Sequence, residues 1–137
     1  MNDLDNARTI LDREGYTCVL CRGTALHTSR QRGVKPLLAL LDEDVEGFSA
    51  ADKVVGKGAA LLYCLLKIKT LHAHIISEAA LSVLQDHGIP ASWDLKVPYI
   101  VNRAGTGRCP MEVATEHITE PALAPEAIRA ALKKLQG

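Results

Sequence analysis

Apolar and polar positions divide the chain into alternating helical and extended segments. Leu4, Ala7, Ile10 and Leu11 recur at helical spacing and Gly15 follows, which predicts a short first helix closed by a glycine C-cap. YTCVLCRGTALHTS predicts a hairpin, because two runs rich in strand formers flank Arg22-Gly23-Thr24, where glycine supplies the positive φ of a tight turn. Gly33 ends that unit, and VKPLLALLDED predicts a helix with Pro36 in its first turn. From Ser49 the pattern predicts a helix to about Lys67, a strand over TLHAHIIS, a helix over SEAALSVLQDHG and a strand near WDLKVPYIV. This alternation predicts an α/β protein with a mixed sheet that begins with a hairpin and continues through parallel crossovers. A glycine-bearing loop from Asn102 to Arg108 precedes a short helix in CPMEVATEH. The tail ends in an amphipathic helix, with Pro125 suited to an N1 position and Lys133 and Lys134 near its carboxyl end. It is expected to dock on the domain or on a second subunit.

The length of 137 residues and the 47% hydrophobic content fit one globular domain with a sizeable core. Residues 1–118 are read as that domain and 119–137 as a linker and helix. Lys plus Arg equals Asp plus Glu at 16 each, so the whole-molecule field favours neither nucleic acid nor an anionic membrane. One Trp, three Tyr and one Phe also offer little for a base-stacking groove. The amino terminus lacks the apolar run of a signal peptide, and no run has the length of a membrane span, so a cytoplasmic protein is expected. Its four cysteines are then expected as thiols.

Asp52, Lys53, Gly56, Lys57 and Gly58 crowd the start of the predicted helix over Ser49–Lys67. Ser49 and Asp52 have the spacing of a capping box, and Asp52 complements the helix dipole. Lys53 and Lys57, one turn apart, sit where positive charge is least comfortable and call for an anion or solvent. Glycine within a helix costs about 1 kcal/mol relative to alanine. Gly56 and Gly58 therefore imply either another element packed on bare backbone or the close approach of a ligand. The spacing is not that of a P-loop.

NRAGTGRCPME forms a second constellation. Gly105 and Gly107 permit unusual backbone angles, Pro110 suits the first helical position, and Cys109 falls at the N-cap with Glu112 three residues on. The dipole and Arg108 would both favour a Cys109 thiolate, whereas the plainer reading is a turn with an incidental cysteine. Cys18 and Cys21 read as C-x-x-C, but on a strand they face opposite sides about 10 Å apart, so no metal is expected there. His72 and His74 alternate along their strand and share a face, which could bring two imidazoles to one metal or ligand; satisfied sheet residues are the commoner outcome. Cys64 reads as core, and His27, His87 and His117 form no usable arrangement.

RGVKPLLALLDED, ADKVVGKGAALL, SEAALSVLQDHGI and VPYIVNRAGTGRCPME, in that order, resemble the small prokaryotic family of domain of unknown function 1893 over roughly residues 4–117. The segment from Ile118 looks like an addition. The resemblance implies a three-layer α/β/α sandwich of cytidine-deaminase-like type. Zinc deaminases need H-x-E at one helix start and P-C-x-x-C at the next. The corresponding segments here are Ala51-Asp52-Lys53 and Ser77-Glu78-Ala79-Ala80, which lack those ligands, so zinc-dependent base deamination is not expected. The resemblance implies that Asp52, Lys53, Lys57 and Cys109 surround one cleft beyond the carboxyl ends of the strands.

Three readings follow. The first is a binder of a small anionic or nucleotide-like ligand, held by Lys53, Lys57, Gly56, Gly105, Gly107, Arg108 and Glu112. The second is an enzyme with Cys109 as nucleophile, Lys53 or Lys57 gripping an anionic or carbonyl group and Asp52 positioning a lysine or moving a proton. The third is a non-catalytic interaction protein acting through its tail. No cofactor is expected, and a homodimer is, because two-fold dimers are the commonest homo-oligomers.

Overall fold

Asn2 starts the first helix by accepting the Asp5 N–H on its side chain at 2.8 Å, and Gly15 ends it in the left-handed region at φ 69°. The computed structural model describes residues 2–136. After α1 (Asp3–Glu14) the chain forms β1 (Cys18–Arg22) and β2 (Ala25–Ser29), an antiparallel hairpin that turns at Gly23, φ 60°. α2 (Lys35–Leu40), with Pro36 in its first turn, leads into β3 (Ser49–Val55) and α3 (Lys57–Leu66). β4 (Thr70–Ser77), α4 (Glu78–Asp86) and β5 (Ala91–Val97) follow, then α5 (Pro110–Ala114), a 3₁₀ turn (Pro121–Leu123) and α6 (Ala124–Gln136).

The five strands lie in the order β2-β1-β3-β4-β5. β1 is antiparallel to both neighbours, and β3, β4 and β5 are parallel. α1 packs on β1 and β3 from one face, around Ala7, Leu11, Val19, Cys21 and Ala51. The larger core fills the other face, with α3 at its centre and Leu61, Leu62 and Tyr63 fully buried. Cys18 belongs to that larger core and Cys21 to the smaller one, on opposite faces of the sheet.

The predicted helix from Ser49 is corrected: Ser49–Val55 is a strand, and helix begins only after Gly56. β3 is the middle strand, so Ala50 is buried against one layer and Ala51 against the other. Burial on both faces removes the polar–apolar alternation that would mark a strand, and alanine favours a helical reading. Ser49 and Asp52 therefore form no capping box. Ser49 instead accepts a hydrogen bond from the Thr70 hydroxyl at 3.0 Å. Lys53 and Lys57 do not share a helical face.

The tail packs on its own domain. Ala124 and Ile128 of α6 are fully buried, and Ile128 lies against Gly58 of α3. Among the described residues no helix is long and apolar enough to cross a membrane.

Candidate functional site

The carboxyl ends of β3 and β4 each feed a helix start. Gly56 is the N-cap of α3, and Ser77 caps α4 by accepting the Ala80 N–H at 3.1 Å. These two starts meet on one side chain, Glu112 of α5, which is 2% exposed. Glu112 accepts from the Lys57 N–H at 3.1 Å, the Ser77 hydroxyl at 2.6 Å and the Ile100 N–H at 2.5 Å. The Lys57 N–H, a free donor of the first turn of α3, is thus met by an internal carboxylate at the positive ends of two helix dipoles.

This close approach accounts for the glycines. A Cβ on Gly56 would lie 3.0 Å from Glu112 Cγ and 3.2 Å from Ile100 Cγ1. One on Gly58 would meet the Met111 carbonyl at 3.4 Å. Of the two alternatives left open by the sequence, packing of another element on bare backbone is the one realised at both positions. Gly105, at φ 72°, turns the loop that Asn102 closes by accepting the Thr106 N–H, whereas Gly107 has room around it.

Lys57 and Arg108 converge just outside. The Lys57 ammonium donates to the Glu116 carbonyl at 2.7 Å, and Arg108 pairs with the Glu116 carboxylate at 2.9 Å. That pairing holds Glu116 below the usual carboxylate range and raises Arg108. Cys109 is the N-cap of α5 and makes no side-chain capping bond; its backbone N–H donates to the Ile100 carbonyl at 2.7 Å. Among the described residues no imidazole or carboxylate hydrogen-bonds its thiol.

Asp52 and Lys53 do not join this group. Asp52 turns under the sheet toward α3, where it accepts from the Tyr63 hydroxyl at 2.6 Å and from the Val54 N–H at 3.2 Å. Tyr63 in turn lies 3.3 Å from the Cys18 sulfur. Burial raises Asp52 to about 6, against the opposing pull of Tyr63 and the Val54 and Lys53 amides. Burial likewise pushes the Cys18 thiol and the Tyr63 phenol well up. The Lys53 side chain is exposed. A cavity of about 240 Å³ lies between the hairpin and α2, lined by Cys18, Leu20, His27 and Pro36, away from the helix starts.

A second cluster lies on the sheet face that carries α1. His72 Nδ1 is 2.7 Å from the Ser92 hydroxyl, and His72 Nε2 is 3.2 Å from Asp94 Oδ1. His74 Nδ1 is 2.5 Å from Asp94 Oδ2, and its Nε2 is 2.8 Å from Asp12. Burial, with Arg8 adding to it, lowers His72, and the Asp94 carboxylate raises His74. The shared face of the two histidines was legible in the sequence. Asp94 and Asp12 were not, because their approach depends on the register of β4 with β5 and on where α1 lies.

These features define an α/β protein whose mixed sheet carries two helix starts tied together by one carboxylate. The chain belongs to the family described as a domain of unknown function (DUF1893), whose model matches residues 6–132. That match takes in most of α6, so the tail is part of the family's span and not an addition to it. The chain is similar to the crystal structure of a DUF1893 family protein (TM1506) from Thermotoga maritima, with 28% identity, a TM-score of 0.84 and coverage of 96% of this chain and 89% of that one. None of the curated proteins matches the chain at a significant level.

Proposed function

We propose that the protein binds a small anionic, nucleotide-like ligand at the carboxyl ends of the parallel strands, beside Glu112. The observation that carries this reading is the convergence of Lys57 and Arg108 on Glu116. Two cations are held together at the mouth of the two helix starts, where open α/β sheets bind ligands. Glu116 is an exposed internal anion that an incoming one can displace. Tyr99 and Val101, half exposed on the segment leading to Arg108, add apolar surface of the kind a base or ring would cover. Glu112 has its lone pairs engaged by three donors and serves to hold the helix starts and this segment in register.

A cytidine-deaminase-like ancestry is part of this proposal. The helix starts carry Gly56-Lys57-Gly58 and Ser77-Glu78-Ala79, without the His and Cys ligands of zinc-dependent base deamination. The reading takes the protein as cytoplasmic and does not require a reactive Cys109.

Calorimetric titration with AMP, CMP and inorganic phosphate as probes tests it. Saturable binding is expected for at least one probe, weakened about 5-fold or more by Lys57→Ala or Arg108→Ala and strengthened by Glu116→Ala, which frees Arg108 and leaves in place the backbone carbonyl that Lys57 meets. Cys109→Ser should leave it unchanged. Absence of binding at millimolar probe, or binding indifferent to all three charge variants, overturns the proposal.

A further inference from the structure

We propose that His72, His74 and Asp94 bind a divalent transition-metal ion of the zinc class on the sheet face beside α1. The site is built by register. His72 and His74 project from one face of β4, and the parallel pairing of His72 with Ser92 brings Asp94, two residues on, level with His74. One donor atom from each of the three residues lies within 4.8 Å of the other two. Tetrahedral zinc, with bonds of about 2.0–2.1 Å, needs donors about 3.3 Å apart. The 3.2 Å between His72 Nε2 and Asp94 Oδ1 meets that spacing, and the 2.5 Å between His74 Nδ1 and Asp94 Oδ2 must open by about 0.8 Å, a shift of the exposed Asp94 side chain.

The second observation is a buried nitrogen that makes no hydrogen bond although it lies 3.2 Å from Asp94 Oδ1. His72 is 2% exposed, and its Nε2 makes no hydrogen bond. Its other nitrogen faces the Ser92 hydroxyl, and the outer nitrogen of His74 faces the Asp12 carboxylate. With Nδ1–H of His72 donated to Ser92 and Nε2–H of His74 donated to Asp12, each ring turns a lone pair toward Asp94. Without a metal, a second proton on His74, at Nδ1, bridges to Asp94 Oδ2 over 2.5 Å, and a bound cation would take that proton's place. Outer ring nitrogens held by oxygen partners, with the inner ones turned to one shared carboxylate, is the pattern by which proteins orient metal-ligating histidines.

Two imidazoles and one carboxylate suit zinc and its first-row neighbours over calcium or magnesium, which take oxygen shells. Asp12 and Asp94 supply two negative charges against the nearby Arg8. The His74 and Asp94 side chains are 33% and 52% exposed, so a fourth position opens to solvent. This face is opposite the helix starts, and the inference does not depend on the ligand proposed there.

The test uses the full chain, stripped with a chelator and dialysed against zinc chloride, with bound metal measured by mass spectrometry. One zinc per chain is expected, with affinity falling about 10-fold or more in Asp94→Ala and in His74→Ala. Cobalt(II) in the same site should show d–d bands with no thiolate charge-transfer band. Zinc should shift the ring nitrogens of both His72 and His74 in the NMR spectrum of the unaltered protein, a readout independent of how the variants fold. No zinc retained at micromolar free metal, binding that survives the Asp94→Ala/His74→Ala double variant, binding abolished by cysteine alkylation, or unshifted histidine nitrogens would each overturn the inference.

Discussion

The Lys57 backbone N–H donates to the Glu112 carboxylate at 3.1 Å, joining the first residue of α3 to a side chain of α5. The same carboxylate also receives Ser77 and Ile100, so one buried group closes the ends of two helices and anchors the segment before the glycine loop. Removing it strands three donors together. Glu112→Ala is expected to cost about 3–5 kcal/mol and Glu112→Gln less, because the amide keeps one acceptor. Urea unfolding measures both, and a cost below about 1 kcal/mol for the alanine variant would contradict the role given to this carboxylate.

Gly56 is the other side of that contact. Gly56→Ala places a methyl 3.0 Å from Glu112 Cγ, and overpacking of this kind is expected to destabilise by about 1–3 kcal/mol. Its cost should shrink in the Glu112→Ala background, where the methyl finds space. A double-mutant cycle with no coupling would show that backbone preference, and not contact with Glu112, keeps glycine at this position.

Asp52 gives a pH signature. Its carboxyl is raised from an ordinary 3.8 to about 6, so between those values the folded protein holds a proton that the unfolded chain has released. Its contribution is therefore complete below about pH 4 and lost as pH rises through about 6, amounting to as much as about 3 kcal/mol. Asp52→Asn should accordingly gain stability relative to the parent by about 1–3 kcal/mol between pH 4 and pH 7.5. A difference that stays constant over that range would mean Asp52 titrates as an ordinary surface carboxyl.

The four cysteines should alkylate in a defined order. Cys18 and Cys21 are buried, and burial pushes Cys64 up to about 11. Cys109, partly exposed at the start of α5, should react first with iodoacetamide at pH 8, followed slowly by Cys64, with Cys18 and Cys21 protected until unfolding. Peptide mass spectrometry resolves the four rates, and early labelling of Cys18 or Cys21 would contradict their placement on the two faces of the sheet.

Ile128 tests the docking of α6. It is fully buried against Gly58 of α3, so Ile128→Ala is expected to cost about 2–4 kcal/mol. A cost near zero would return the tail to the role of a partner-binding element.

The hairpin, β4 and α4 were legible because each is patterned by its own residues. Gly23 turns the hairpin, TLHAHIIS supplies the strand, and Ser77 caps the helix that follows it. β3 was misread because Ser49, Ala50 and Ala51 are buried from both sides and carry no alternation. That shift of the helix start from Ser49 to Gly56 separated Asp52 and Lys53 from Lys57.

The sequence by itself determined where chemistry-bearing residues concentrate: around Asp52–Gly58, around Gly105–Glu112 and at His72 with His74. Local propensity and spacing act over a few residues, and those clusters lie within that range. Only the tertiary structure decided which residues meet. Glu112 reaches Lys57 and Ser77, Asp52 reaches Tyr63, and Asp94 reaches the two histidines, all across strand register and helix docking. Those distances are set by packing between distant segments, which no local pattern encodes.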